Sequence, residues 1–62
     1  MKYTIEFRDG LSYIEKEIEG MIPNKGDSVK LNDTLYKVDE LITDLSYSEP
    51  IYKVKLRLYF EN

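Results

Sequence analysis

Apolar and polar residues alternate along most of the chain, which is the pattern of β-strands that bury one face. In the first run the odd positions are apolar: Met1, Tyr3, Ile5 and Phe7. In the last run the even positions are apolar: Tyr52, Val54, Leu56, Leu58 and Phe60. We predict a strand at each end of the chain, and we expect these residues to face one core.

The dipeptide Asp9-Gly10 follows the first run and predicts a type I′ hairpin turn. A hairpin closed at this dipeptide pairs Ile5 with Ile14 and Lys2 with Glu17. The apolar residues of both strands then share a face, and the two charges are opposite in sign. The sequence therefore predicts a second strand after Gly10.

A short helix at 11–19 is the alternative for this segment. Ser12-x-x-Glu15 is typical of a capping box, and Gly20 stands where a helix would end. The apolar residues Leu11, Ile14 and Ile18 fit one helical face as well. We favour the strand because the hairpin register agrees with the apolar pattern.

The middle of the chain predicts a second hairpin. Val29 and Leu31 alternate with polar residues, Asn32-Asp33 is typical of a tight turn, and Tyr36 and Val38 return on the same face. The alternation changes sense after Val38, at 39–42, which predicts a β-bulge or a bend. Residues 46–50 are polar and end in a proline, which favours a loop before the last strand.

These elements predict a single domain over residues 1–62. The fold class is all-β: a small antiparallel, strongly curved five-stranded barrel or sheet of SH3-like or Sm-like size. An open sheet that completes itself against a second subunit is the alternative. Both versions agree with a homo-oligomer.

The composition of the chain excludes several kinds of catalytic group and metal site. The chain has 62 residues, no cysteine and no histidine, which excludes disulfides, ordinary zinc sites, a cysteine nucleophile and an imidazole base. So short a chain buries a small core, and self-association is the remaining way to stabilise it. We predict a homo-oligomer that is not an enzyme and that has no cofactor and no metal.

The net charge of the chain limits the kinds of binding partner that we expect. Nine basic and 12 acidic residues give a net charge of −3, which opposes binding to nucleic acid through the charge of the whole protein. No apolar run approaches the roughly 20 residues that a membrane span needs. We expect a cytoplasmic protein with no membrane contact.

The strongest candidate site is a row of cations on the last strand. Lys53, Lys55 and Arg57 share a face, and Tyr59 continues it. Cations beside an aromatic ring are typical of sites that hold phosphates and stack a base. Tyr47, in the polar loop, is a second candidate for stacking. The same row is also typical of a solvated strand face whose charges pair with acidic neighbours.

Two other segments carry weaker signals. The turn at residues 23–27 has backbone N–H groups and a lysine for an anion, but it lacks the glycines of a phosphate-binding loop, and we favour a structural turn. The acidic residues Asp39, Glu40 and Asp44 fit no calcium-loop spacing, and we favour a solvated bulge.

The segment from Ile22 onward carries a resemblance. Its pattern is Pro23-x-x-Gly26-Asp27-x-Val29-x-Leu31, followed by Tyr36-x-Val38 and Asp44. It resembles the small β-barrel accessory proteins that bacteriophages and mobile elements encode. The resemblance implies a phage protein that acts against bacterial defence in the host cytoplasm, either by sequestering a nucleotide-derived signal or by blocking a protein.

The function predicted from these features is sequestration of a nucleotide-like small molecule by a non-enzymatic protein. In this prediction the three cations hold phosphates, and Tyr47 or Tyr59 stacks on the base. The first alternative is an inhibitor that binds a host defence protein through acidic residues: Glu15, Glu17, Glu19, Asp39 and Glu40. The second alternative is a single-stranded nucleic-acid-binding module, against which the net charge counts.

Overall fold

The computed structural model describes residues 1–60, and Glu61 and Asn62 lie outside the described residues. The strands are β1 (Lys2–Asp9), β2 (Ser12–Glu19), β3 (Ser28–Leu31), β4 (Thr34–Asp44) and β5 (Ile51–Leu58). They form one sheet in the order β2-β1-β5-β4-β3. The predicted all-β fold is confirmed, and the segment at 11–19 that also fits a helix is strand β2.

The sheet is strongly curled and is open rather than closed into a barrel. Its two outer strands are β2 and β3, which make no contact with each other. One pairing differs from the predicted antiparallel arrangement, because β1 and β5 run parallel. Alternation assigns residues to a face but does not give the direction of a neighbouring strand, so this pairing has no signal in the sequence.

The core lies on the concave face and is formed by six buried residues: Ile5, Phe7, Tyr36, Val38, Val54 and Leu56. They occupy alternate positions of the three central strands, as the period-two pattern predicts. Half-buried residues of both outer strands pack against them. The Phe7 and Tyr36 rings lie 4.9 Å apart between centroids. We call this side the core face and the opposite side the outer face.

The first hairpin forms as predicted, but its register is shifted. Ile14 lies opposite Phe7 instead of Ile5. The two turn residues are Gly10 and Leu11, and only Gly10 has a positive φ, of 58°. A positive φ at the first central position alone is typical of a type II′ turn instead of the predicted type I′. A shift by two residues keeps every side chain on its face, so the apolar pattern is satisfied by both registers.

The second hairpin and the bulge are confirmed. Asn32 and Asp33 have φ values of 50° and 66°, as a two-residue turn with positive φ at both positions requires. The pairing of β4 with β5 shifts between Val38 and Glu40. Asp39 is therefore the extra residue of a β-bulge, which bends its strand and increases the local twist.

Two predicted core residues, Met1 and Phe60, lie outside the core. Met1 precedes β1 and is 65% exposed. Phe60 is 85% exposed, because β5 ends at Leu58 and the alternation ends with it. Its ring meets the edge of the Tyr59 ring at 4.7 Å between centroids. The prediction that Met1 and Phe60 face the core is wrong.

Residues 23–27 form a structural turn, as predicted. The Asp27 carboxylate accepts the Asn24 backbone N–H at 2.8 Å. The Gly26 N–H donates to the Val38 carbonyl, and the Asp27 N–H donates to the Asn24 carbonyl. These N–H groups are engaged within the protein, so the turn does not offer them to an anion. Separately, residues 1–60 contain no helix that could cross a membrane.

Candidate ligand groove between β1 and β5

A groove opens where the two parallel strands separate. β1 and β5 pair over three positions only, and Glu6 with Lys55 is the last of these pairs. Lys55 also pairs with Glu40, the first residue after the bulge in β4. The ladder between β1 and β5 thus ends at the level of the bulge. Because a bulge increases twist, the remainder of β5 follows β4 away from β1.

The groove holds about 620 Å³ and is open to solvent. One wall is the end of β1 and the other is the end of β5, with the bulge beside them. The lining residues are Phe7, Arg8, Asp9, Asp39, Leu56, Arg57 and Leu58. The groove therefore combines an apolar surface with one arginine from each strand.

The arginine of β5 is held by the bulge. Its Nε lies 3.6 Å from Oδ1 of Asp39. Both side chains are about half exposed, so this ion pair is solvated and contributes little to stability. The remaining N–H donors of the Arg57 guanidinium are available to a ligand, since Asp39 contacts the Nε side.

The arginine of β1 stands over an aromatic ring. The Arg8 guanidinium carbon lies 5.0 Å from the centroid of the Tyr13 ring, within cation–π distance. The Tyr13 hydroxyl in turn donates a hydrogen bond of 2.6 Å to Glu15. This hydrogen bond to a carboxylate raises the pKa of Tyr13 above its ordinary value of 10.0. Tyr13 is thus held in its neutral form beside Arg8.

A third cation, Lys37, lies on the outer face beside Arg57. We call Arg8, Arg57 and Lys37 the basic end of the outer face. Lys37 of β4 lies opposite Arg57 of β5 in the strand register. Its ammonium lies 5.1 Å from the centroid of the Tyr59 ring. Tyr59, a predicted site residue, therefore contacts Lys37, which lies opposite Arg57 in the register, and Tyr59 is half buried.

The other predicted site residues, Lys53, Lys55 and Tyr47, do not line the groove. Lys53 forms an ion pair of 3.5 Å with Asp44, and four positions of a strand separate it from Arg57, or about 13 Å. Lys55 lies between Glu6 and Glu40 in the register. Tyr47 follows the end of β4 and is 65% exposed. Tyr47 and Tyr59 flank opposite ends of β5, so one small ligand does not reach both.

Asp44 illustrates how the acidic neighbours take up these cations. Hydrogen bonds from Ser46, including its backbone N–H at 2.9 Å, lower the pKa of the Asp44 carboxyl below its ordinary value of 3.8. Lys53 lowers this pKa further. The interpretation of the row as a solvated face with paired charges describes Lys53 well.

Sequence reasoning missed two cations of the basic end, Arg8 and Lys37. Arg8 has the outer-face phase of β1, and that phase was readable from the alternation. Its place in the same groove as Arg57 could not be predicted, because it depends on the parallel pairing of β1 with β5. Lys37 has the outer-face phase of β4 and lies before the bulge, but only the register places it beside Arg57.

The arrangement is suited to binding. No charged side chain is buried among residues 1–60, so the groove holds its charges in solvent-facing positions. Two guanidinium groups can donate hydrogen bonds to phosphate oxygens while the apolar floor and the flanking rings contact a base. No family model, curated protein or solved structure matches the chain.

Proposed function

We propose that this protein is a non-enzymatic binding protein that captures a small nucleotide-derived ligand in the groove between β1 and β5. The observation that carries the proposal is the placement of Arg8 and Arg57 on the two walls of one open groove. Guanidinium groups bind phosphate through two parallel hydrogen bonds, which a lysine does not provide. Two such groups on facing walls suit a ligand with more than one phosphate oxygen to offer.

The apolar part of the groove supports a ligand that also carries a ring. Phe7 and Leu56 belong to the core and also line the groove, so they offer a fixed apolar surface. Tyr59 lies at the same end, beside Lys37. In this proposal Arg57 and Tyr59, both predicted from the sequence, contact the ligand, while Lys55 adds positive charge at the inner end of the groove.

The biological role is proposed from the sequence resemblance. A small phage-type protein that holds a nucleotide-derived immune signal in the cytoplasm of the host bacterium would remove that signal from its receptor. Sequestration needs no catalytic group, which agrees with a chain that lacks cysteine and histidine. The ligand is therefore expected to be recovered chemically intact after the protein is denatured.

Isothermal titration with ADP-ribose and with a cyclic dinucleotide tests the proposal. We expect saturable binding of one of them, and a loss of about 10-fold to 100-fold in affinity for Arg8→Gln and for Arg57→Gln. Lys2→Gln is the matched control, because it removes the same charge from the outer face of β1 about 20 Å from Arg8. Absence of heat from both ligands, or equal losses in all three variants, contradicts the proposal.

A second candidate function is favoured by the outer edge of β2, which has no strand partner within the described part of the chain. In this version the protein is an inhibitor that binds a host defence protein directly. The eight-residue edge strand carries acidic side chains on its outer face: Glu15, Glu17 and Glu19. Such an edge is suited to another protein and not to a nucleotide.

A further inference from the structure

The outer edge of β2 is a long strand edge with no partner among residues 1–60. β2 has eight residues, and its one strand partner within the described range 1–60 is β1. The opposite edge of the sheet, β3, has four residues. The backbone N–H and C=O groups on the outer side of β2 thus form the longer of the two open edges, and such groups can pair with another extended chain.

The two faces of β2 differ in chemistry. Its outer-face positions are Tyr13, Glu15, Glu17 and Glu19, whereas its core-face positions are Ile14, Lys16 and Ile18. Lys16 lies opposite the buried Ile5 but is itself exposed. A charge on the core face of an edge strand opposes pairing with an unsuited strand.

The charges of β2 also oppose pairing with a second copy of itself. Two copies can join their β2 edges in antiparallel fashion, with matched faces, in two alignments of greatest overlap. One alignment places Glu15 opposite Glu15 of the other copy. The other places Glu15 opposite Glu17, and Lys16 opposite Lys16. Like charges directly opposite each other destabilise a strand pair, so a homo-oligomer would use another surface.

We propose that β2 docks an extended segment of a partner protein that carries Lys or Arg at alternate positions. This inference rests on the second candidate function and identifies the chemistry of its partner. Basic residues on the outer face meet Glu15, Glu17 and Glu19, apolar residues meet Ile14 and Ile18, and an acidic residue meets Lys16. Backbone hydrogen bonds supply affinity, and the charge pattern supplies specificity.

The test uses a capped heptapeptide, Lys-Val-Lys-Glu-Lys-Val-Lys, and amide chemical shifts of the labelled full-length protein. We expect saturable binding below about 1 mM, with the shift changes concentrated in Ser12–Glu19. Two control peptides accompany it. One has every Lys replaced by Glu, and the other is methylated on alternate backbone nitrogens so that it keeps its charge but loses its donors.

Charge reversal in the protein separates edge docking from general attraction. Glu17→Lys and Glu40→Lys change the net charge equally and both lie on the outer face, but only Glu17 belongs to β2. We expect Glu17→Lys to weaken peptide binding about 10-fold and Glu40→Lys to leave it within about 2-fold. Far-ultraviolet circular dichroism confirms that both variants are folded.

Three outcomes overturn the inference: no binding of the heptapeptide, equal binding of the methylated peptide, or shift changes outside β2. The peptide titration tests the β2 edge separately from nucleotide binding in the groove. Glu17→Lys is expected to bind ADP-ribose or the cyclic dinucleotide as the wild type does, so failure of the nucleotide titration and failure of the peptide titration are separate findings.

Discussion

Glu6 of β1 lies opposite Lys55 of β5, and the groove begins immediately beyond this pair. Lys55 also lies opposite Glu40 of β4. One lysine therefore separates two carboxylates at the point where the parallel strands part. At this position the main role of Lys55 is to neutralise the two carboxylates of the sheet, and its charge is a secondary contribution to ligand binding.

Replacing Lys55 is expected to destabilise the sheet slightly. In Lys55→Gln the carboxylates of Glu6 and Glu40 lose the cation between them, and exposed pairs of this kind contribute about 0.2–1 kcal/mol. Urea unfolding at low salt should show a loss of this size that shrinks in 1 M salt, because salt screens exposed charges. An unchanged or increased free energy of unfolding would mean that the two carboxylates do not interact with Lys55.

Val54 is fully buried at the centre of the sheet, between β1 and β4. Val54→Ala removes two methyl groups and leaves a cavity, which we expect to cost about 2–3 kcal/mol of unfolding free energy. Val29→Ala is the matched control, since Val29 is half buried on the short edge strand β3. Equal losses in the two variants would contradict the placement of the core.

Gly10 is required by the backbone of the first turn and not by space around it. Its φ is +58°, and a Cβ added there would meet no atom within 4 Å. We expect Gly10→Ala to cost about 1–2 kcal/mol, the cost of the left-handed region for an L-residue. A synthetic chain with D-alanine at position 10 should keep the wild-type stability, because a D-residue prefers positive φ. Equal destabilisation by both alanines would contradict the turn type.

The Asp44 carboxyl gives the stability a defined dependence on acid. Its pKa is lowered in the folded state by Ser46 and Lys53, so its contribution is present above the ordinary value of 3.8 and is lost as the pH falls through the folded-state pKa. Asp44→Asn should therefore flatten the decline of stability below about pH 4. Asp33→Asn, in the exposed second turn, is the control. A decline in Asp44→Asn as steep as in the wild type would be the contrary result.

The sequence predicted the strands and turns better than it predicted which strands pair and in which register. Alternation placed four of the strands and their faces, and Asn32-Asp33 and the change of sense after Val38 placed the second turn and the bulge. The position of the first turn was not determined, because a register shift of two residues leaves Ile14 on the same face. The end of β5 was not determined either, so Phe60 was misplaced.

The candidate site was predicted only in part for the same reason. Arg57 and Tyr59 were visible as members of one strand. Arg8 comes from β1, nearly fifty positions earlier in the chain. Only the parallel pairing of β1 with β5, a contact between distant parts of the chain, brings it to the groove. The alternation of neighbouring residues carries no information about contacts between distant parts of the chain.

The most direct test of the proposed groove is an amide shift titration of the labelled protein with ADP-ribose and with a cyclic dinucleotide. We expect the shift changes to concentrate on the two walls, at residues 7–9 and 56–58, and to disappear in the Arg8→Gln/Arg57→Gln double variant. Shift changes concentrated instead at Lys53 and Tyr47, or none with either ligand at millimolar concentration, would contradict the proposal.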